Sequence, residues 1–280
     1  MYKGFIIDDF EVEHDRDYIG NNVTPDLREN VYLLNEEFNS DLEKFILQDV
    51  VDRDLILDGS KIIQKCFPQV KADIFISHSH KDISEVKDFA RRVFLKTGLV
   101  SFIDSEVWEY ADKLLNRIDK IYTHNAGKHT YDYNLRNVST SYVHLMLNTA
   151  LLNMIDSCEC LFFLNTPNSF NIEEEIKDTT YSPWIYSELS MANSIEKKIP
   201  IRYEGSNKSL REARESLFSQ VDSKAGFKIA LRPDTDKLIQ CNYSQISNWL
   251  GKCNHNRGNK NLDILYDMFS TNPYAISGRL

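Results

Sequence analysis

The sequence predicts an α/β fold: a parallel sheet covered by helices on both faces, preceded by an N-terminal helical segment. Three observations predict it. From Ala72 onward, short apolar runs alternate with amphipathic helical patterns. The runs "ADIFIS", "LVSFID" and "CLFFLN" are almost continuously apolar, as strands buried on both faces must be. The stretches between them are long enough to return the chain as crossover helices.

Residues 1–70 read as an accessory, mostly helical segment, and residues 71–280 as the α/β domain with a helical extension. In the accessory segment, Thr24 is a candidate N-cap and Pro25 stands in the first turn. Leu27, Val31, Leu34, Phe38, Leu42 and Phe45 follow at helical spacing. "SKIIQKCF" is a second, short helix. In the domain, "ADIFIS" opens the sheet and "SEVKDFARRVFLK" is a helix stopped by Gly98. "LVSFID" is the next strand, and "VWEYADKLLNRIDKI" a helix with Trp108 at a core position. A polar insert over 122–138 reads as a loop. "STSYVHLMLNTALLNMIDSC" is a helix capped by Ser139 or Thr140, and "CLFFLN" a strand. "PWIYSELSMANSIEKK" is a helix capped by Ser182, with Pro183 in its first turn. The strand "IPIRY" follows, then "FKIAL" as a last strand, and helices near "SQISNWL" and "NLDILYDMF".

Composition excludes several functions. The 280 residues carry a net charge of −9, which opposes the cationic field that nucleic-acid binding needs. Five cysteines, irregularly spaced, read as reduced thiols of a cytoplasmic protein. No apolar run is long enough to span a bilayer. No glycine-rich phosphate loop and no GxSxG elbow occurs. His78 and His80 stand two apart, but no Cys or His cluster with ligand spacing accompanies them. The sequence is therefore read as holding no metal site, and kinase, ATPase and ordinary dehydrogenase chemistry are not expected of it.

In open parallel sheets, ligands sit beyond the carboxyl ends of the strands. Ser77, His78, Ser79 and His80 lie at such an end, as do Asp104 and Asn165–Thr166. Trp184 and Glu188 are four residues apart, hence neighbours on one helix face. Sequence physics leaves two readings of this pair open. One is a core tryptophan beside an exposed glutamate. The other is an aromatic-walled carboxylate able to stabilise a sugar cation.

Together, "DIFISHSHKD", "LVSFID" and "SPWIYSEL" resemble the first strand and turn, the second strand, and the Ser-Pro-Trp box of Toll/interleukin-1 receptor (TIR) domains. The resemblance covers about residues 70–205. It implies a flavodoxin-like sheet and, with the N-terminal segment, is similar to bacterial TIR proteins of antiphage defence such as the Thoeris type. It implies Glu188 as the catalytic glutamate, and Ser77, His78, Asp104 and Trp184 as substrate-binding residues. NAD would be the substrate rather than a cofactor. The enzyme would be a hydrolase or cyclase releasing nicotinamide, and it would either make an ADP-ribose-type signal for a downstream effector or deplete NAD. Partners would be further copies of the chain, joined through TIR surfaces, with neither nucleic acid nor membrane. The insert after Ile121, with His124, His129, Tyr131 and Tyr133, departs from the family pattern, as does the absence of a glycine after "FID". Two alternatives stay open: a non-enzymatic TIR assembly module, and a nucleoside deoxyribosyltransferase-like enzyme of the same fold class.

Overall fold

The computed structural model of the chain describes residues 1–10, 57–67, 69–103, 105–125, 130–170, 179–203 and 230–270. Among the described residues, five strands form one sheet, all of them parallel. They are β1 (Lys3–Asp8), β2 (Ile74–Ser77), β3 (Ser101–Ile103), β4 (Cys160–Leu164) and β5 (Ile239–Asn242). Their spatial order is β3-β2-β4-β1-β5. The helices are α1 (Gly59–Cys66), α2 (Ile83–Thr97), α3 (Ser105–Ile118), α4 (Tyr133–Ser157), α5 (Pro183–Ser194), α6 (Tyr243–Lys252) and α7 (Lys260–Met268).

Alternation along the strands divides the core in two. Phe75 and Phe163 face a cluster built with α1, α3, α4 and α5. Ile74, Ile76 and Phe162 face the opposite cluster, built with α2, α6 and α7. Every residue of β4 is buried, which is why its sequence shows no polar alternation. The sheet is thus covered on both faces, as the apolar strand runs predict. Among the described residues, no helix is long and apolar enough to cross a membrane.

Two glycines sit where an added Cβ would meet a close neighbour: at Gly4 a movable side-chain end, at Gly98 backbone. A Cβ on Gly4 would overlap the side chain of Leu238. Gly98 closes α2 at φ 72°, and its N–H donates to the Phe94 carbonyl at 2.7 Å. A Cβ there would also come within 2.7 Å of the His255 carbonyl oxygen.

Several expectations are corrected. Lys3–Asp8 do not belong to a helical accessory segment. They form β1, paired with β4 on one side and β5 on the other. The helix expected from Thr24 to Phe45 lies outside the described residues. "IPIRY" is not a strand: Ile201–Tyr203 form a 3-10 turn, and Ile201 is 83% exposed. The place beside β4 where this segment would pair is filled by β1. "FKIAL" does not supply the last strand either. Its described end, Leu231, makes an isolated antiparallel bridge to Thr180, and β5 is formed by "IQCN". Among the described strands, counted along the chain, the order is therefore 3-2-4-1-5.

The described ends of the polar insert also hold regular structure where a loop is expected. Asp119–Thr123 form a π-helical turn, and His124 bridges Tyr131 in an antiparallel pair. The next helix starts at Tyr133, well before Ser139, because the Asp132 side chain caps the Leu135 N–H at 2.9 Å. Ser139 instead donates to the buried Asp119 carboxylate at 2.5 Å, which also receives Arg136 at 2.9 Å.

None of the five cysteines is in a disulfide, and four are buried. Burial pushes the Cys158 and Cys241 thiols up to about 12 each. An unfolded thiol titrates near 8.5. The folded state therefore holds these protons longer than the unfolded state. This contribution to stability is complete below about pH 8.5 and is lost as pH rises from there toward about 12. The melting temperature is expected to fall across that alkaline range, and Cys158→Ala to flatten the slope. An unchanged slope in the variant would contradict this account.

Candidate active site

The chain leaves β2 toward β3 at one edge of the sheet and leaves β4 toward β5 at the other. The connections out of the neighbouring strands β2 and β4 therefore diverge, and this is the switch point beyond which open parallel sheets place the crevice for their ligands. Ser77 is the last residue of β2 and pairs in register with Phe163. By the period of two it shares a face with Phe75, toward α5.

The residues of α5 are fixed from its start. The Ser182 hydroxyl accepts from the Ile185 N–H at 3.3 Å, and Pro183 occupies the first turn. Ile185, Leu189 and Ala192 then face the core, and Glu188 lies on the same stripe. Its carboxylate is 0% exposed, and Ser77 Oγ donates to Glu188 Oε2 at 2.6 Å. The reading of Glu188 as a solvated surface acid is thereby excluded. Ser77 is itself 0% exposed, so its hydroxyl serves the carboxylate.

The other expected residues are placed less uniformly. His78 is buried, with Nδ1 3.3 Å from the Ile76 carbonyl oxygen. Ser79 is buried and His80 exposed. Trp184 is half-buried one turn before Glu188, edge-on to His144 of α4 with ring centroids 5.3 Å apart. Asp104 lies outside the described residues, as do the side chains of Glu106, Trp108 and Glu109.

Sequence reasoning missed the polar ties that hold the rim of the crevice. Asp82, buried at the start of α2, receives Thr166 Oγ1 at 2.6 Å and Asn168 Nδ2 at 2.5 Å. This carboxylate joins the turn after β2 to the turn after β4. Asn165 Nδ2 donates to Asp8 Oδ1 at 2.6 Å and links the ends of β4 and β1. Asn165 and Thr166 were legible from the strand-end rule. Asp82 stood in the quoted "HSHKD" without a signal that it would be buried, and Asp8 became readable only with β1 in the sheet. On α4, Asn148 accepts a long hydrogen bond from Ser187 Oγ at 3.4 Å, beside Glu188 in sequence.

A cavity of about 380 Å³ lies at the opposite, amino end of the strands, lined by Met1, Tyr2, Glu159, Lys198 and Arg202 among others. Its charges are already paired: Arg202 holds Glu159 bidentately at 2.5 and 2.8 Å, and Lys198 holds Asp156. It does not compete with the carboxyl-end crevice as a place for chemistry on a strand-end acid. Among the described residues, no cluster of three or more His, Cys, Asp or Glu side chains could hold a metal ion.

The arrangement at Glu188 is that of a single carboxylate fixed in a low-dielectric setting by a hydroxyl donor. Such a group can stabilise a cation developing against it far better than a solvated acid can. No family model matches the chain, and neither a curated protein nor a solved structure matches it.

Proposed function

We propose that the chain is a TIR-type enzyme that cleaves NAD between nicotinamide and ribose. The observation that carries this reading is the buried Glu188 carboxylate bound by Ser77 at the carboxyl end of β2. The finer fold reading is supported by three neighbouring strands. "LVSFI", "DIFIS" and "CLFFL" stand side by side in the sheet in the succession a flavodoxin-like TIR sheet requires. In this chain β1 takes the fourth place.

The chemistry needs little beyond a placed negative charge. The leaving ring is already cationic, so its nitrogen accepts the electron pair of the breaking bond without a general acid. Positive charge develops on the ribose C1′ and ring oxygen. Glu188 lowers that barrier by facing the ribose, and Ser77 holds the carboxylate in position. Trp184 walls the site, and His78 stands at the nucleotide side of the rim. Capture of the cation by water, with loss of its proton, gives ADP-ribose. Capture by a nitrogen of the adenine base gives a cyclic product. Either product can act as a signal for an effector in antiphage defence. Because Glu188 is closed to solvent, substrate reaches it only when the rim opens.

The test is NAD consumption by concentrated purified protein, with products resolved by chromatography. Nicotinamide release that disappears in a folded Glu188→Ala variant supports the reading. An inert wild type, alone and with candidate activating signals, overturns it. The second reading, a TIR module that only assembles, is favoured by one specific observation: an exposed apolar face on α4.

A further inference from the structure

We infer that α4 is a dimerisation helix, pairing in antiparallel fashion with α4 of a second copy of this chain. The inference does not depend on the NAD reading. Helix α4 is apolar on two opposite sides. One side, with Val143, Leu147, Ala150 and Met154, packs into the core. The other carries Leu135, Val138, Tyr142, Leu145 and Leu152, between 40% and 63% exposed. A helix that is apolar all round is ordinarily buried all round.

The spacing identifies what covers it. Leu135, Val138, Tyr142, Leu145, Thr149 and Leu152 follow one another by steps of 3, 4, 3, 4 and 3. This is the a/d repeat of a coiled-coil seam, which takes another helix as its partner. The series is also a palindrome. A two-fold axis between Val143 and His144 sets Leu135 against Leu152, Val138 against Thr149, and Tyr142 against Leu145. Isologous pairing requires this self-complementarity.

Charge points the same way. The chain carries −9 overall, so two copies repel across most of their surfaces. The seam from Val138 to Leu152 carries no charge, and Ser141 and Asn148 beside it are neutral. Two acidic chains can meet here without opposing like charges. The 25-residue helix presents a face about 37 Å long and ~10 Å wide. That is less than the ~800 Å² per partner of a standard interface, so the dimer is expected to be reversible and concentration-dependent.

The experiment measures the mass of the full chain by sedimentation equilibrium at about 100 μM, where an affinity of ~1 μM is saturated. Twice the 32.6 kDa chain mass is expected. Tyr142→Glu combined with Leu145→Glu brings four carboxylates to the two-fold axis, and a monomer with an unchanged thermal melt is expected. A monomeric wild type, as when another part of the chain covers α4, overturns the inference. So does a double variant that stays dimeric. Cross-linking checks the register. Leu135→Cys with Leu152→Cys should give an oxidised dimer, whereas each single variant should not. The two sites are ~25 Å apart on one helix, far beyond the reach of a bond within the chain. A dimer cross-linked by the Leu135→Cys single variant would overturn the antiparallel pairing.

Discussion

Replacing Glu188 by glutamine is expected to lower NAD turnover by roughly 10²–10³-fold while leaving the melting temperature unchanged or raised. The two halves of this expectation come from one fact, the 0% exposure of the carboxylate. A buried ionised acid costs folding free energy, because water solvates it better than the protein interior does. Glutamine keeps the shape and an oxygen able to accept the 2.6 Å bond from Ser77, and it removes the charge. A residue retained for stability would lose stability on this exchange. A residue retained for its charge loses only the reaction. The measurement is steady-state nicotinamide release beside a thermal melt of the same preparation. If Glu188→Gln melts many degrees lower, the carboxylate is a structural group. If it turns over NAD at the wild-type rate, the charge plays no part in the chemistry.

How much of this site the sequence could show depends on which step is local. The helix cap at Ser182 and Pro183 is local, and it is read correctly. The inward position of Glu188 was also legible in principle. It lies three residues after Ile185 and four before Ala192, both buried. The competing expectation, a glutamate in water, rests on how often glutamates are exposed and not on this stripe. Ser77 shows where local reading ends. Its parity with Phe75 says which face of β2 it takes, but not that α5 covers that face. That follows from the connection out of β4, which no short-range pattern encodes.

The strand β1 illustrates a different limit. "GFII" is a short apolar run, and a strand buried on both sides has no alternation to announce it. The longer helical pattern from Thr24 to Phe45 outweighs it in the sequence. "IPIRY" misled in the opposite sense. It follows a helix at the expected distance and is rich in β-formers, yet the neighbouring place in the sheet is already occupied by β1. Strand propensity is fulfilled only where a partner edge is open. The exposed side of α4 lay in the sequence as a second apolar stripe, but helical spacing alone does not distinguish core from interface.

Ser77→Ala is expected to lower kcat by about 10–100-fold, less than the loss of the acid itself, with little change in KM. The hydroxyl is fully buried and donates to Glu188 Oε2, so it is a positioning residue with no exposed surface of its own for substrate. Removing it leaves the carboxylate oxygen to find another donor or to rotate away. A 1 Å displacement of a catalytic group can cost about 10²-fold. Loss of a buried hydrogen bond to a charged group also destabilises the fold by about 1–3 kcal/mol. The two losses are separable. Ser77→Thr keeps the hydroxyl at the price of one methyl group in a tight site, and it should recover part of kcat while remaining less stable than wild type. A Ser77→Ala enzyme with raised KM and unchanged kcat would instead place the hydroxyl on the substrate. An Ala variant as active as wild type would mean that Glu188 is held by the packing of α5 alone.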